Sequence, residues 1–148
     1  MYSKIVPIKI TNNNAKIPTK GSEGAAGYDL YAAIDSKIMI KPHTTVIIDT
    51  GCAIALPDDV FGGVFARSGL ASKKGLRPAN CIGVIDSDYR GNIKVALHND
   101  TDIVQYVEPQ ERIAQLIIIP YVDISFDETD ELSETNRGSG GFGSTGTK

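Results

Sequence analysis

The sequence predicts an all-β domain of the sandwich, jelly-roll or barrel type with one short helix. Glycine and proline interrupt the chain at short intervals, and no long segment has apolar residues at helical spacing. Short apolar runs instead recur at regular distances, which is typical of packed antiparallel strands. A length of 148 residues fits one domain that is large enough to bury a core.

The predicted strands follow one another through short connections. The earlier runs are 5–10, 28–31, 38–40, 45–49, 53–56 and 60–66, and the later ones include 103–107 and 113–119. The last run is apolar on both faces apart from Gln115, which predicts a central strand. Arg112 and Gln115 therefore need polar partners near a buried strand.

One helix is predicted over 68–74. Ser68 is a suitable N-cap, Leu70 and Ala71 are good helix formers, and Gly75 can end the helix. The segment Arg67-Ser68-Gly69 at its start combines a cation, a hydroxyl and free N–H groups, which is the composition of an anion site. The alternative is an N-cap beside a surface arginine.

The segment 81–92 followed by the alternating run 93–98 predicts a β-hairpin with an acidic turn. Asp86 comes directly after Val84 and Ile85, so we expect its carboxylate at the edge of an apolar wall. Tyr89 offers an aromatic ring three residues later. The alternative is that Asp86 and Asp88 only hydrogen-bond the turn backbone.

The composition changes at residue 123, which predicts a β domain over 1–122 and an extended arm over 123–148. The arm begins with six acidic residues between Asp123 and Glu134 and no basic one, and ends in a glycine-rich stretch after Arg137. Alone it buries too little apolar surface to fold. Residues 138–143 fit G-x-G-x-x-G, but no strand leads into them and no helix follows, so a dinucleotide site is excluded. Phe142 argues against a plain linker.

Composition excludes several classes of function. A net charge of −3 argues against a nucleic-acid binder, which needs a basic face. Two cysteines make no disulfide framework and indicate a reducing compartment, and two histidines add no zinc-like spacing. No apolar stretch has the length of a signal peptide or a membrane span. We therefore expect a soluble, intracellular (cytoplasmic) protein without nucleic-acid or membrane partners.

Several polar residues together match what a nucleoside polyphosphate needs. Arginines and glycine N–H groups neutralise phosphate oxygens, a carboxylate activates water, and aromatic rings hold the base and sugar. Asp29, which leaves a glycine-rich loop, remains open as a turn residue, an ion-pair partner or a ligand in a metal shell.

Five segments in order resemble the five motifs of the homotrimeric dUTP pyrophosphatases (dUTPases). They are 26–30, 67–71, 83–91, 112–116 and 137–146, and they cover nearly the whole chain from Ala26 to Gly146. Two departures are mild: Ala66 stands where many members have proline, and Gln110-Glu111 stands where Gly-Asp is common.

The resemblance implies a jelly-roll-like β subunit in a homotrimer, with active sites between subunits and a neighbour's arm closing each site. It implies hydrolysis of dUTP to dUMP and pyrophosphate by water attack on the α-phosphorus. Asp86 would be the general base and Tyr89 would pack under the deoxyribose. Mg²⁺ would be held by the triphosphate, with no direct protein ligand and with Asp29 touching it only through water.

The resemblance also implies substrate-binding roles for other residues. Arg67, Ser68 and Gly69 would hold phosphates with Gln115 nearby, while Arg112 and Asp29 would support the site. Asn80 and the segment around Gly83, Val84, Ile85 and Lys94 would read the uracil edge. From the arm, Arg137 would reach the γ-phosphate, Phe142 would stack on uracil, and Gly143, Ser144 and Thr145 would contact phosphates.

Three alternatives remain open on the sequence. A dCTP deaminase shares the broad fold but would be expected to carry a catalytic glutamate in place of the 86–89 pattern. A regulatory module would sense dUTP without turnover. A purely structural β protein would not explain Phe142 in a glycine-rich tail.

Overall fold

A computed structural model describes residues 5–142, so Gly143, Ser144 and Thr145 lie outside the described residues. Within this range the chain forms twelve strands and one helix, which confirms the all-β class with one short helix. The elements are β1 (Ile8–Ile10), β2 (Thr19–Lys20), β3 (Tyr28–Tyr31), β4 (Ile38–Ile40), β5 (Thr45–Asp49), β6 (Cys52–Ile54), β7 (Val60–Phe65), α1 (Ser68–Lys74), β8 (Leu76–Pro78), β9 (Ile82–Ile85), β10 (Lys94–Asn99), β11 (Gln105–Val107) and β12 (Arg112–Pro120).

The largest sheet positions the candidate site. It has five strands in the order β2-β3-β12-β7-β9, with every neighbouring pair antiparallel. β12 lies in the middle, as its two apolar faces predict. A three-stranded sheet has the order β5-β10-β8, and β1 with β6 and β4 with β11 form two-stranded sheets.

A single apolar core lies between these sheets. β10 shows the alternation that produces it: Val95 and Leu97 are buried while Lys94 is exposed. The core also takes side chains from the other sheets, among them Leu30, Ile40, Ile48, Leu76, Ile113 and Leu116. Burial of these side chains is the main favourable term in folding.

The helix has the predicted bounds, but the predicted N-cap is wrong. Arg67 is the N-cap, with extended backbone at φ −85° and ψ 130°, and it makes no side-chain capping bond. Its carbonyl accepts the first helical bonds from the N–H groups of Leu70 and Ala71, at 3.1 and 3.0 Å, which puts Ser68 already inside the helix. Gly75 ends the helix in the left-handed region at φ 63°, as predicted.

The predicted hairpin over 81–98 is also wrong. β9 pairs with β7 in the five-stranded sheet, whereas β10 pairs with β5 and β8 in the other sheet. Gly62 of β7 leaves room for Ile85 of β9. A Cβ added at Gly62 would lie 3.2 Å from the Cβ of Ile85, so the lack of a side chain at Gly62 allows the two strands to pair closely. The segment 86–93 therefore connects two sheets instead of reversing within one.

The described part of the arm contains no helix or strand. β12 ends at Pro120, and the residues from Tyr121 to Ser139 are all exposed. Tyr121 anchors the start of the arm, since its hydroxyl donates to the carbonyl of Asp58 at 3.0 Å and its ring meets Phe61 edge-on. Within residues 5–142, no helix is long and apolar enough to cross a membrane.

Candidate active site

A first cleft of about 190 Å³ opens beside the middle of the five-stranded sheet. Strand register brings its polar residues together, because Gln115 of β12 lies opposite both Asp29 of β3 and Phe65 of β7. Arg67 follows Phe65 by two residues and reaches the same place. The lining residues are Gly21, Ala25, Gly27, Asp29, Arg67, Ser68, Gly69, Arg112 and Gln115.

Asp29 braces both arginines of this cleft. The side chain of Arg67 donates from Nε to Asp29 Oδ1 at 2.7 Å, and Arg112 donates from Nη1 to Oδ2 at 3.2 Å. Asp29 is only 8% exposed, so its charge needs such partners. Of the three possibilities for Asp29, the ion pair is the one observed. Two guanidinium groups and one carboxylate leave a net charge of +1, which suits an anion.

Gln115 lies against Gly27. Its amide donates from Nε2 to the carbonyl of Ala66 at 2.9 Å, and a Cβ at Gly27 would lie 2.6 Å from its Oε1. No side chain fits there without moving Gln115. The sequence signal, a glycine before Tyr28 and Asp29, does not differ from that of an ordinary loop, so sequence reasoning gave Gly27 no role in a site.

Ser68 and Gly69 complete this cleft. Both are exposed in the first turn of α1, where backbone N–H groups have no acceptor within the helix. A Cβ at Gly69 would meet nothing within 4 Å, so the space beside it is open. Together with Arg67, these groups present hydrogen-bond donors and positive charge to the cleft, which is the chemistry that binds anions.

A second cleft of about 210 Å³ contains Asp86. Asp86 is exposed, directly after β9 ends at Ile85, and the cleft wall beside it includes Val84 and the ring of Tyr89. This matches the expected carboxylate at an apolar edge. Asn92 and Lys94 line the other side.

The Tyr89 ring is held by its own turn. Its backbone N–H donates to the carbonyl of Asp86 at 3.2 Å, and its hydroxyl donates to the carbonyl of Asn92 at 3.1 Å. The ring lies over Gly91, where an added Cβ would be 2.6 Å from Cζ. The ring therefore occupies space that is available because residue 91 has no side chain.

The remaining predicted residues lie outside the two clefts. Asn80 lies beside Gly83, since a Cβ added at Gly83 would be 3.5 Å from Asn80 Nδ2. Arg137 hydrogen-bonds within the arm, from Nε to the carbonyl of Gly140 at 2.9 Å, and Phe142 is fully exposed. Asn80, Gly83, Arg137 and Phe142 are absent from the lining of both clefts, as far as residues 5–142 are concerned.

One chain does not bring the two clefts together. Ile82 of β9 pairs with Phe65 of β7, and the strands run in opposite directions, so Arg67 lies beyond the Ile82 end of β9. Asp86 follows the other end of β9 at Ile85, so this strand, about 10 Å long, lies between the two residues. The arginine cleft and the Asp86 cleft are therefore two separate clefts of one chain.

The described residues do not form a metal cage. Residues 5–142 contain no group of three or more His, Cys, Asp or Glu side chains that could hold a metal ion. Both oxygens of Asp29 already accept from guanidinium groups. Mg²⁺ typically keeps several waters and binds substrate phosphates with few carboxylates.

Comparisons with known proteins agree with this arrangement. Residues 13–146 match the family model described as dUTPase. The deoxyuridine 5'-triphosphate nucleotidohydrolase of Desulfitobacterium hafniense (strain DSM 10664 / DCB-2) is 52% identical over 132 residues, covering 88% of this chain and 87% of that protein. The corresponding protein of Orientia tsutsugamushi (strain Ikeda) is 44% identical over the full length of both. A structure of the Staphylococcus bacteriophage 80alpha dUTPase with dUPNHPP has a TM-score of 0.90 and 28% identity, covering 98% of this chain and 100% of that one. The chain therefore belongs to the dUTPase family.

Proposed function

We propose that this chain hydrolyses dUTP to dUMP and pyrophosphate by attack of water on the α-phosphorus. The observation that carries the proposal is the pair of clefts, in which arginines braced by Asp29 face one cleft while Asp86 and Tyr89 line the other. The names of the relatives and the dUTP analogue dUPNHPP in the phage enzyme support the same substrate.

Asp86 is the general base in this mechanism. Within residues 5–142 no group hydrogen-bonds its carboxylate, so both oxygens are available to a water molecule. The carboxylate accepts a proton from that water, and the oxygen attacks the α-phosphorus as pyrophosphate leaves. A positioned base of this kind contributes about 10²- to 10⁴-fold to the rate.

The arginine cleft binds the triphosphate. Phosphoryl transfer depends mainly on in-line positioning and on neutralising the phosphate oxygens. Arg67, the Ser68 hydroxyl and the Gly69 N–H group supply donors, while Gln115 lies nearby. Arg112 acts through Asp29, which fixes Arg67. Arg137 reaches the γ-phosphate, and Gly143, Ser144 and Thr145 add contacts from the arm.

The enzyme works as a homotrimer in this proposal. In one chain the base and the arginines lie beyond opposite ends of β9, about 10 Å long, and line different clefts. A complete site therefore combines the arginine cleft of one subunit with the Asp86 cleft of another. The arm, beginning at residue 123, extends to close a neighbour's site.

The substrate is the Mg²⁺ complex of dUTP. When bound, the metal would neutralise charge on the triphosphate oxygens, and Asp29 would contact its hydration shell through water. Direct ligation by Asp29 would displace a guanidinium group, which makes the indirect contact the better fit.

Base and sugar are recognised at the Asp86 cleft. Tyr89 packs under the deoxyribose and leaves no room for a 2′-hydroxyl. Asn80 and backbone groups of Gly83, Val84, Ile85 and Lys94 pair with the uracil edge, and Phe142 stacks on the ring. Cytosine would cover these polar groups without pairing with them, which costs more than a missing methylene does.

The test is pyrophosphate release from a panel of deoxynucleoside triphosphates with Mg²⁺. We expect turnover of dUTP alone, and Asp86→Asn should bind dUTP but lose about 10²-fold or more of kcat. Equal turnover of dCTP or dTTP would contradict the proposed substrate. Near-normal pyrophosphate release by the variant would remove Asp86 from its role.

A further inference from the structure

The turn that carries Asp86 and Tyr89 is held together internally, but those bonds do not tie it to the domain. Besides the Tyr89 N–H bond to Asp86, Arg90 donates from Nη1 to the carbonyls of Ser87 and Tyr89 at 2.6 and 3.0 Å. All of these groups belong to the turn itself. Since the turn connects two different sheets, some other contact must set where it lies.

Asp49 and Asn92 make that contact. The side-chain amide of Asn92 donates from Nδ2 to Oδ1 and Oδ2 of Asp49, at 3.1 and 2.9 Å. Asp49 is the last residue of β5, and its Oδ1 also accepts from the N–H of Gly51 at 2.6 Å. Both residues are half-buried, so water competes less for these bonds than at an open surface.

The contact reaches Tyr89 through the main chain. The carbonyl that accepts the Tyr89 hydroxyl belongs to Asn92, whose side chain is the one held by Asp49. The same hydroxyl end of the ring lies against Gly91. The ring position is therefore set by Gly91 and by the Asn92 carbonyl. Asp49 holds this carbonyl through the Asn92 side chain, and the Ile93 N–H bond to Cys52 holds the other end of the same peptide unit.

The strand after the turn does not depend on this pair. Ile93 is fully buried, its N–H donates to the carbonyl of Cys52 at 2.8 Å, and its carbonyl accepts from the N–H and hydroxyl of Thr50. These bonds anchor the start of β10 by themselves. Loss of the Asp49–Asn92 bond should therefore loosen the turn without unfolding the sheet.

We propose that Asp49 and Asn92 are positioning residues for sugar discrimination: they hold the Tyr89 ring where a 2′-hydroxyl would lie. This rests on the proposed function, in which Tyr89 packs under the deoxyribose. With the pair intact, the ring excludes a ribonucleotide. Without it, the ring moves away and UTP gains entry.

The experiment measures kcat and KM for dUTP and for UTP in the full-length wild type and three variants. Asn92→Ala removes the amide, and Asp49→Asn keeps the shape but removes the carboxylate. In the double variant Asp49→Asn/Asn92→Asp the donor and acceptor change places. Asp102→Asn is the matched control, because it removes an exposed carboxylate whose one ion-pair partner among residues 5–142 is His43, away from the turn.

We expect the dUTP-over-UTP ratio of kcat/KM to fall about 10- to 100-fold in each single variant, the range that one charge-assisted hydrogen bond covers. The double variant Asp49→Asn/Asn92→Asp should restore most of the wild-type dUTP-over-UTP ratio, and Asp102→Asn should have the wild-type ratio. If the pair had only a structural role, its loss would lower kcat/KM for dUTP and for UTP equally. The ratio would then stay unchanged, and that result would overturn the inference. An unchanged ratio in Asp49→Asn also overturns it, even if Asn92→Ala fails to fold. A wild type that does not hydrolyse dUTP would refute the proposed function instead.

Discussion

Replacing Asp29 by asparagine tests whether the arginine cleft is organised by one buried carboxylate. The change keeps the shape of the side chain but removes the charge that two guanidinium groups share. Arg67 and Arg112 would then lie close together without a counter-ion. We expect both a loss of stability and weaker binding of the triphosphate.

The magnitude follows from the two contacts. A hydrogen bond to a charged group contributes about 1.5–3 kcal/mol, and this range applies to the short, largely buried bond from Arg67. Arg112 has a side chain that is 50% exposed, so its pair contributes under about 1 kcal/mol. The remaining amide oxygen retains one acceptor, which leaves a net loss of about 2–3 kcal/mol in the free energy of unfolding. For a chain of this size, that loss lowers Tm by about 4–12 °C.

The assay is thermal unfolding of wild type and Asp29→Asn at one fixed protein concentration, together with KM for dUTP. Fixed concentration matters because subunit association makes Tm depend on it. The control is again Asp102→Asn, whose carboxylate is 98% exposed and should change Tm by under about 2 °C. If Asp29→Asn unfolds within 2 °C of wild type and keeps its KM, the carboxylate does not organise the cleft.

Three further predictions concern the turn, the arm and the thiols. Gly91→Ala should push the Tyr89 ring out of place, because the new Cβ would be 2.6 Å from Cζ, and kcat/KM for dUTP should fall about 10-fold or more by pyrophosphate release. Truncation after Asn136 should leave the Tm within about 2 °C of wild type, since the exposed arm adds little to the core. The same truncation should strongly reduce turnover of dUTP, and full activity would show that the arm is only a linker. Burial raises the pKa of the Cys52 thiol, so iodoacetamide at pH 8 should label exposed Cys81 and spare Cys52 in the folded protein, as peptide mass spectrometry can check. Equal labelling of both thiols would contradict this.

Patterns within a few neighbouring residues were enough to predict some elements, among them β5 and α1. β5 and α1 have the predicted bounds, because alternation and the glycine at 75 act within a few residues. The run 103–107 is shorter than predicted: β11 starts at Gln105, since the carbonyl of Ile103 accepts turn bonds from Asn99 and Thr101. The short β2 and β8 were not predicted, because two or three residues carry no periodic signal.

The sequence did not predict which strands pair with each other. An apolar run, an acidic turn and an alternating run give the same pattern whether the two strands pair or separate. The deciding feature is Gly62 on β7, far away in the chain, which leaves room for Ile85. The bond between Asp49 and Asn92 likewise spans 43 positions and has no local signature. Sequence reasoning therefore named most of the polar side chains that line the two clefts, but not the contacts that hold them.

The turn before β12 shows how this chain departs from the dUTPase motif while keeping its cleft. Gln110 has φ 60°, a left-handed conformation that glycine adopts without strain, which gives a physical reason for the glycine common at this position. Glu111 accepts from Lys74 Nζ at 2.5 Å and from the N–H of Glu108 at 2.9 Å. Lys74 ends the helix that begins just after Arg67, and Glu111 precedes Arg112. The ion pair therefore links the two segments whose arginines meet at Asp29, so the departure preserves the geometry that the arginine cleft requires.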